Sequence, residues 1–139
     1  MNDLANKNPL QDLLVDEEEI KQRADSILSV SLKPYVEIVQ SSGEIQFTEA
    51  AYKLPNKEKI LLVLGARLAL KRLKKIDEDS MSQKELIDFL AKEGVPEGSV
   101  KSQLKKLKDD KVVAHKGSKY FVPLDKLLKL EKILQSAGT

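Results

Sequence analysis

Residues 81–123 read MSQKELIDFLAKEGVPEGSVKSQLKKLKDDKVVAHKGSKYFVP, and the fold of the chain turns on this stretch. Ser82 followed by Glu85 has the spacing of a capping box, in which hydroxyl and carboxylate satisfy backbone N–H groups at a helix start. The helix this predicts carries Leu86, Ile87, Leu90 and Ala91 on one stripe, and Gly94 stands where a helix C-terminus favours positive φ. After the breaker run Gly94-Val95-Pro96, a second helix opening near Glu97 or Ser99 points Val100, Leu104 and Leu107 inward at i, i+4 and i+7. Two β-rich tripeptides, Val112-Val113-Ala114 and Tyr120-Phe121-Val122, then flank the turn residues Lys116-Gly117-Ser118, which predicts a β-hairpin.

The segments on either side complete this unit. NKEKILLVLGARLALKRLKK predicts a helix from Asn56 to about Lys75, with Pro55 before it and Asn56 as its N-cap. Its middle, Ile60 to Ala66, is apolar on every side, and such a helix must be covered on every side. Gly65, Ala66 and Ala69 are small enough for another backbone to approach closely, although a mid-helix Gly costs up to about 1 kcal/mol relative to Ala. Downstream, LDKLLKLEKILQSAGT predicts a last helix with Leu124, Leu127, Leu128, Leu130, Ile133 and Leu134 as a broad apolar stripe and Lys126, Lys129 and Lys132 on the other side. Both apolar helices leave two alternatives: they close the core within one chain, or they form an isologous homodimer through Ile60–Leu70 or the C-terminal helix.

This order of elements, over about residues 55–134, resembles the winged helix-turn-helix family. Two helices joined by a Gly-containing turn occur in many folds; the preceding helix and the two-stranded wing with Gly117 at its tip make the pattern more specific. The resemblance implies a mostly α fold with a small β-hairpin wing (α+β), whose second helix lies in the DNA major groove with its early residues at the base edges. On that helix the implied DNA-binding residues are Ser99, Lys101, Ser102, Gln103, Lys105, Lys106 and Lys108; on the wing they are His115, Lys116 and Lys119, with Lys111 beside them. One departure is clear: no arginine, the commonest reader of guanine, occurs from Met81 onward, leaving Lys101, Ser102 and Gln103 as candidate base readers. Lysine meets phosphate as a point charge, so the expectation is electrostatic, salt-sensitive binding to double-stranded DNA with little sequence preference. The role implied is a small transcriptional regulator or chromatin-associated protein. The alternative is a winged-helix protein–protein interaction module that does not bind DNA.

Composition fits a small domain. The chain has 139 residues, 41% hydrophobic and 33% charged, enough for one modest core. Its net charge of +2 hides a division: residues 1–56 carry five Lys/Arg against ten Asp/Glu, and residues 57–139 carry nineteen against twelve. An acidic front and a basic back suit a nucleic-acid-facing module with a separate protein-facing segment. The expected organisation is a flexible terminus over 1–16, an appendage over 17–54 and the winged domain over 55–139. Within the appendage, acids at Asp16–Glu19 open a helix carrying Ile20, Ala24, Ile27, Leu28 and Leu32, which Pro34 ends. Residues 35–39 and 44–48 around Ser41-Ser42-Gly43 then predict a short hairpin or two extended segments, with a helix extension broken at Gly43 as the alternative.

Several function classes find no support. Without cysteine there is no disulfide, thiolate zinc site or cysteine nucleophile. His115 is the only histidine, and there is no phosphate-cradling Gly-rich loop or G-x-S-x-G, so the expectation is a non-enzyme without cofactor, metal or evident small-molecule substrate. The acidic run 76–80 lacks the ligand spacing and central Gly of a calcium loop and is expected to be a solvated linker. No leader-like or bilayer-length apolar run is present, which leads to the expectation of a cytoplasmic protein with no membrane partner.

Overall fold

The computed structural model describes residues 8–138. In chain order these form a 3-10 turn (Pro9–Leu13), helix α1 (Glu17–Leu32), strands β1 (Val36–Ile38) and β2 (Ile45–Phe47), the short helix α2 (Glu49–Tyr52) and helix α3 (Asn56–Arg72). There follow strand β3 (Met81–Ser82), helices α4 (Gln83–Ala91) and α5 (Glu97–Asp109), strands β4 (Ala114–Lys116) and β5 (Lys119–Phe121), a 3-10 turn (Leu124–Lys126) and helix α6 (Leu127–Ala137). The fold is thus α+β: mostly helical, with an antiparallel β1–β2 hairpin and a three-stranded antiparallel sheet of order β3-β5-β4. Part of the expected flexible terminus, residues 1–7, lies outside the described residues.

Helix α3 is the centre of the core. Ile60 to Leu64 are fully buried, as an all-apolar run demands, and the cover comes from within the chain: α1, α4, α5 and α6 all pack on α3, and α6 also packs along α1. At Gly65 a Cβ would lie 3.2 Å from Leu32 Cδ2 and 3.5 Å from Leu130 Cδ1, so the missing side chain is what lets α1 and α6 close over α3. Ala24, Leu28 and Leu32 of α1 and Leu127, Leu130 and Leu134 of α6 share one apolar cluster with the helix-turn-helix segment. The expected stripes are broader than the buried ones. Ile20, in the first turn of α1, Leu124, in the 3-10 turn before α6, and Leu128, within α6, are exposed, because the stretch buried against neighbours begins only at Ala24 in α1 and follows Leu127, Leu130 and Leu134 in α6.

Local signals resolve mostly as the sequence chemistry directs. Ser82 Oγ accepts from Glu85 N at 3.1 Å and Glu85 Oε1 accepts from Ser82 N at 2.9 Å, a complete capping box. Gly94 has φ +82, and Val95 N donates to Leu90 O, closing α4 in a Schellman arrangement. Four expectations need correction. Asn56 is the first helical residue rather than the cap; Pro55 takes the cap position and the Asn56 amide is used elsewhere. Helix α3 stops at Arg72, short of Lys75, where Lys74 adopts φ +62 and Lys75 N donates to Leu70 O. The wing strands begin at Ala114 and Lys119, because Val112 and Val113 are drawn into the core ahead of the strand. Finally, the acidic linker is not simply solvated: Asp79 and Ser80 are buried, with Lys71 Nζ 3.4 Å from Asp79 and Arg67 Nη2 donating to Glu78 O at 2.6 Å.

Candidate nucleic-acid interface

Helix α5 follows Pro96, whose extended backbone (φ −66, ψ 151) starts the helix with Glu97 in its first turn. Val100, Leu104 and Leu107 are all buried and seat it against α3 and α4. At 3.6 residues per turn, the side opposite that stripe carries Ser102, Lys105, Lys106 and Asp109, with Lys101 and Lys108 together along one edge. Lys101, Lys105, Lys106 and Lys108 are all exposed. Lys101 pairs with Glu97 one turn back at 2.9 Å; among the described residues no carboxylate is within ion-pair distance of the other three.

The remaining residues of the implied reading face divide. Ser99 is half-buried and its Oγ accepts from Asn56 Nδ2 at 2.8 Å, a tie between α3 and α5 that turns the hydroxyl toward the body of the domain. Ser102 is exposed and donates to Ser99 O at 3.3 Å. Gln103 is half-buried beside the apolar stripe. The exposed face of α5 therefore presents lysines and Ser102, with Ser99 in a positioning role.

On the wing, Gly117 takes φ +63 in the two-residue connection between β4 and β5, a conformation that favours glycine. Lys116 and Lys119 stand directly opposite each other at the tip, and both are exposed. His115 pairs across the strands with Tyr120, and its Nδ1 lies 3.2 Å from Gly117 O. Strand β3 extends this hairpin to three strands through Met81↔Tyr120 and Ser82↔Lys119. The Ser80 hydroxyl donating at 2.8 Å, together with nearby Lys116, Lys71 and Lys119, holds the Glu78 carboxyl below its usual range. Glu78 therefore feels the charge of the wing-tip lysines without pairing with either, a proximity that the local sequence pattern does not specify.

No protein-family model, curated protein or solved structure matches the chain. The chemistry of the surface is consequently argued from its own residues. Residues 97–121 carry seven lysines against three acids, a net charge of +4 in 25 residues. That density of exposed, mostly unpaired ammonium groups suits a polyanion. Among the described residues no group of three or more His, Asp or Glu is placed to hold a metal ion, and no helix is long and apolar enough to cross a membrane.

Proposed function

We propose that residues 55–134 are a winged helix-turn-helix domain that binds duplex DNA, with α5 entering the major groove and the β4–β5 wing meeting the flanking backbone. The single observation that carries this is α5 itself: one apolar stripe holds it in the body, and the opposite face exposes Lys105 and Lys106, with Lys101 and Lys108 along one edge, three of the four without an acid partner. The order of elements supports it, with three helices, a short strand between the first two, and a closing hairpin. Lysine without arginine favours phosphate contact over base reading, so such a protein holds DNA more strongly than it chooses a sequence.

The test is binding of a random-sequence duplex across a salt titration, with Lys105→Glu/Lys106→Glu beside the parent. Each lost phosphate contact lowers the slope of log K against log salt by roughly 0.9, so the double variant is expected to lose nearly 2 in slope and at least tenfold in affinity. Equal binding of parent and variant at moderate salt would remove the proposal. A second reading, a protein-interaction module, draws on a separate observation: Leu10, Leu13 and Leu14, ahead of α1, are 66%, 75% and 75% exposed in an acidic segment. Failure of the parent to bind duplex even at low salt would favour it.

A further inference from the structure

The turn of the β1–β2 hairpin, the C-terminal half of α3 and the loop that follows enclose a cleft of about 590 Å3, within the size range of small-molecule sites. Its apolar lining comes from Ile45 in the hairpin, Leu73 and Ile76 at the end of α3 and beyond it, Met81 from β3 and Phe89 from α4. Its charged residues are Arg67, Lys74 and Lys75 against the single acid Glu44, a net charge of +2, and Gln40, Ser41 and Ser42 add polar lining on the hairpin side.

These cations lack acid partners. Arg67 donates through Nη2 to Glu78 O, but its Nε is buried with no partner, and no carboxylate lies within ion-pair distance of its guanidinium. Lys75 Nζ reaches only the Gln40 carbonyl, at 3.5 Å, and Glu44 is engaged by Gln46. Glu85, whose carboxyl feels the charge of Arg67, is already committed to the Ser82 capping box. In the cleft where α1 and β1 meet α3, by contrast, the guanidinium of Arg72 is held by both oxygens of Asp25. A buried guanidinium N–H without a partner is costly, and a carboxylate supplies both the acceptor and the opposite charge where a neutral ligand supplies only the acceptor.

We propose that this cleft binds a small amphipathic anion, a carboxylate or sulfonate carried on an apolar body, with the anionic group between Arg67, Lys74 and Lys75 and the apolar body against Leu73, Ile76 and Phe89. The site stands whether or not α5 engages DNA.

The experiment is a titration of the isotope-labelled full chain with naphthoate, followed by amide chemical shifts and by calorimetry, with neutral naphthamide as the comparison. The expected result is saturable binding with shifts in residues 40–45, 67–76, Met81 and Phe89. Naphthamide should bind roughly tenfold more weakly, and so should naphthoate to Lys74→Gln/Lys75→Gln, since each comparison removes charge pairing worth about a factor of ten. Both lysines are exposed, so the variant keeps its fold, which the same spectra verify. Absence of saturable shifts up to millimolar naphthoate, shifts centred on the α1–β1 groove instead, or equal binding of naphthoate and naphthamide would each overturn the proposal. So would unchanged affinity in the double-lysine variant.

Discussion

Gly65 offers the sharpest test of how the core is assembled. A Cβ there would stand 3.2 Å from Leu32 Cδ2, 3.5 Å from Leu130 Cδ1 and 3.8 Å from Leu28 Cδ1, so two helices press on one missing side chain. Gly65→Ala gains about 1 kcal/mol of helix propensity. Against this, the Leu32 methyl must withdraw by a few tenths of an ångström to regain ordinary carbon–carbon separation, a modest cost for the far end of a flexible side chain. The expected net is a gain of about 0.5 kcal/mol. Gly65→Leu places three further carbons in a seam already filled by Leu28, Leu32 and Leu130; overpacking of this kind costs about 2–3 kcal/mol after the propensity gain is allowed for. Urea melts followed by circular dichroism, with size exclusion to record the oligomeric state, separate the two. A Gly65→Leu variant as stable as the parent would refute the closure of α1 and α6 over α3. A loss above about 1 kcal/mol in Gly65→Ala would refute the claim that Leu32 yields easily.

Other outcomes follow from local features. Ser82→Ala breaks the capping box and is expected to cost about 1 kcal/mol, lowering the thermal midpoint by about 4 °C in a differential scan. Lys111 holds φ +62 after α5 with Val112 N donating to Leu107 O; Lys111→Gly relieves a left-handed lysine and should raise the urea midpoint by the equivalent of about 0.5–1 kcal/mol. The Ser82 backbone N–H holds the Glu85 carboxyl below its ordinary value of 4.5, and the Ser80 hydroxyl and the wing lysines do the same for Glu78. A depressed folded-state pKa contributes stability that is present above the ordinary carboxylate value and lost as pH falls through the lowered one. Melts between neutral pH and about pH 3 should therefore show declining stability, and Glu85→Gln, which can still cap but cannot titrate, should flatten part of that decline. An unchanged slope in Glu85→Gln would show that its cap does not couple to protonation.

Much of the helical plan was legible because its determinants are local. The Ser82–Glu85 cap, Gly94 at positive φ, the i, i+4, i+7 stripe of Val100, Leu104 and Leu107, and the hairpin around Gly43 each follow from a few adjacent residues. Boundaries were less legible where tertiary contacts compete with propensity. Val112 and Val113 read as strand but are taken by the core, and Met81-Ser82 is too short to show alternation, becoming a strand only because Tyr120 and Lys119 lie opposite. The candidate interface was legible as a list of lysines. That Ser99 turns to Asn56 and that Glu78 lies near the wing lysines are relations between residues whose side-chain positions the pattern does not specify, whereas the i, i+4 spacing of Glu97 and Lys101 was there to be read.

The sequence alone determined that Ile60 to Ala66 had to be covered on every side, because periodicity reports how much apolar surface a helix presents. It could not name the cover, since Leu residues of this chain and of a second copy satisfy the same apolar demand equally. Only the tertiary structure decided that α1 and α6 of the same chain meet over Gly65. The same holds for charge: composition placed the basic residues in the back half, but that Arg72 found Asp25, 47 residues away, and that Lys71 found Asp79 across the turn after α3 depended on distances of a few ångströms set by the fold.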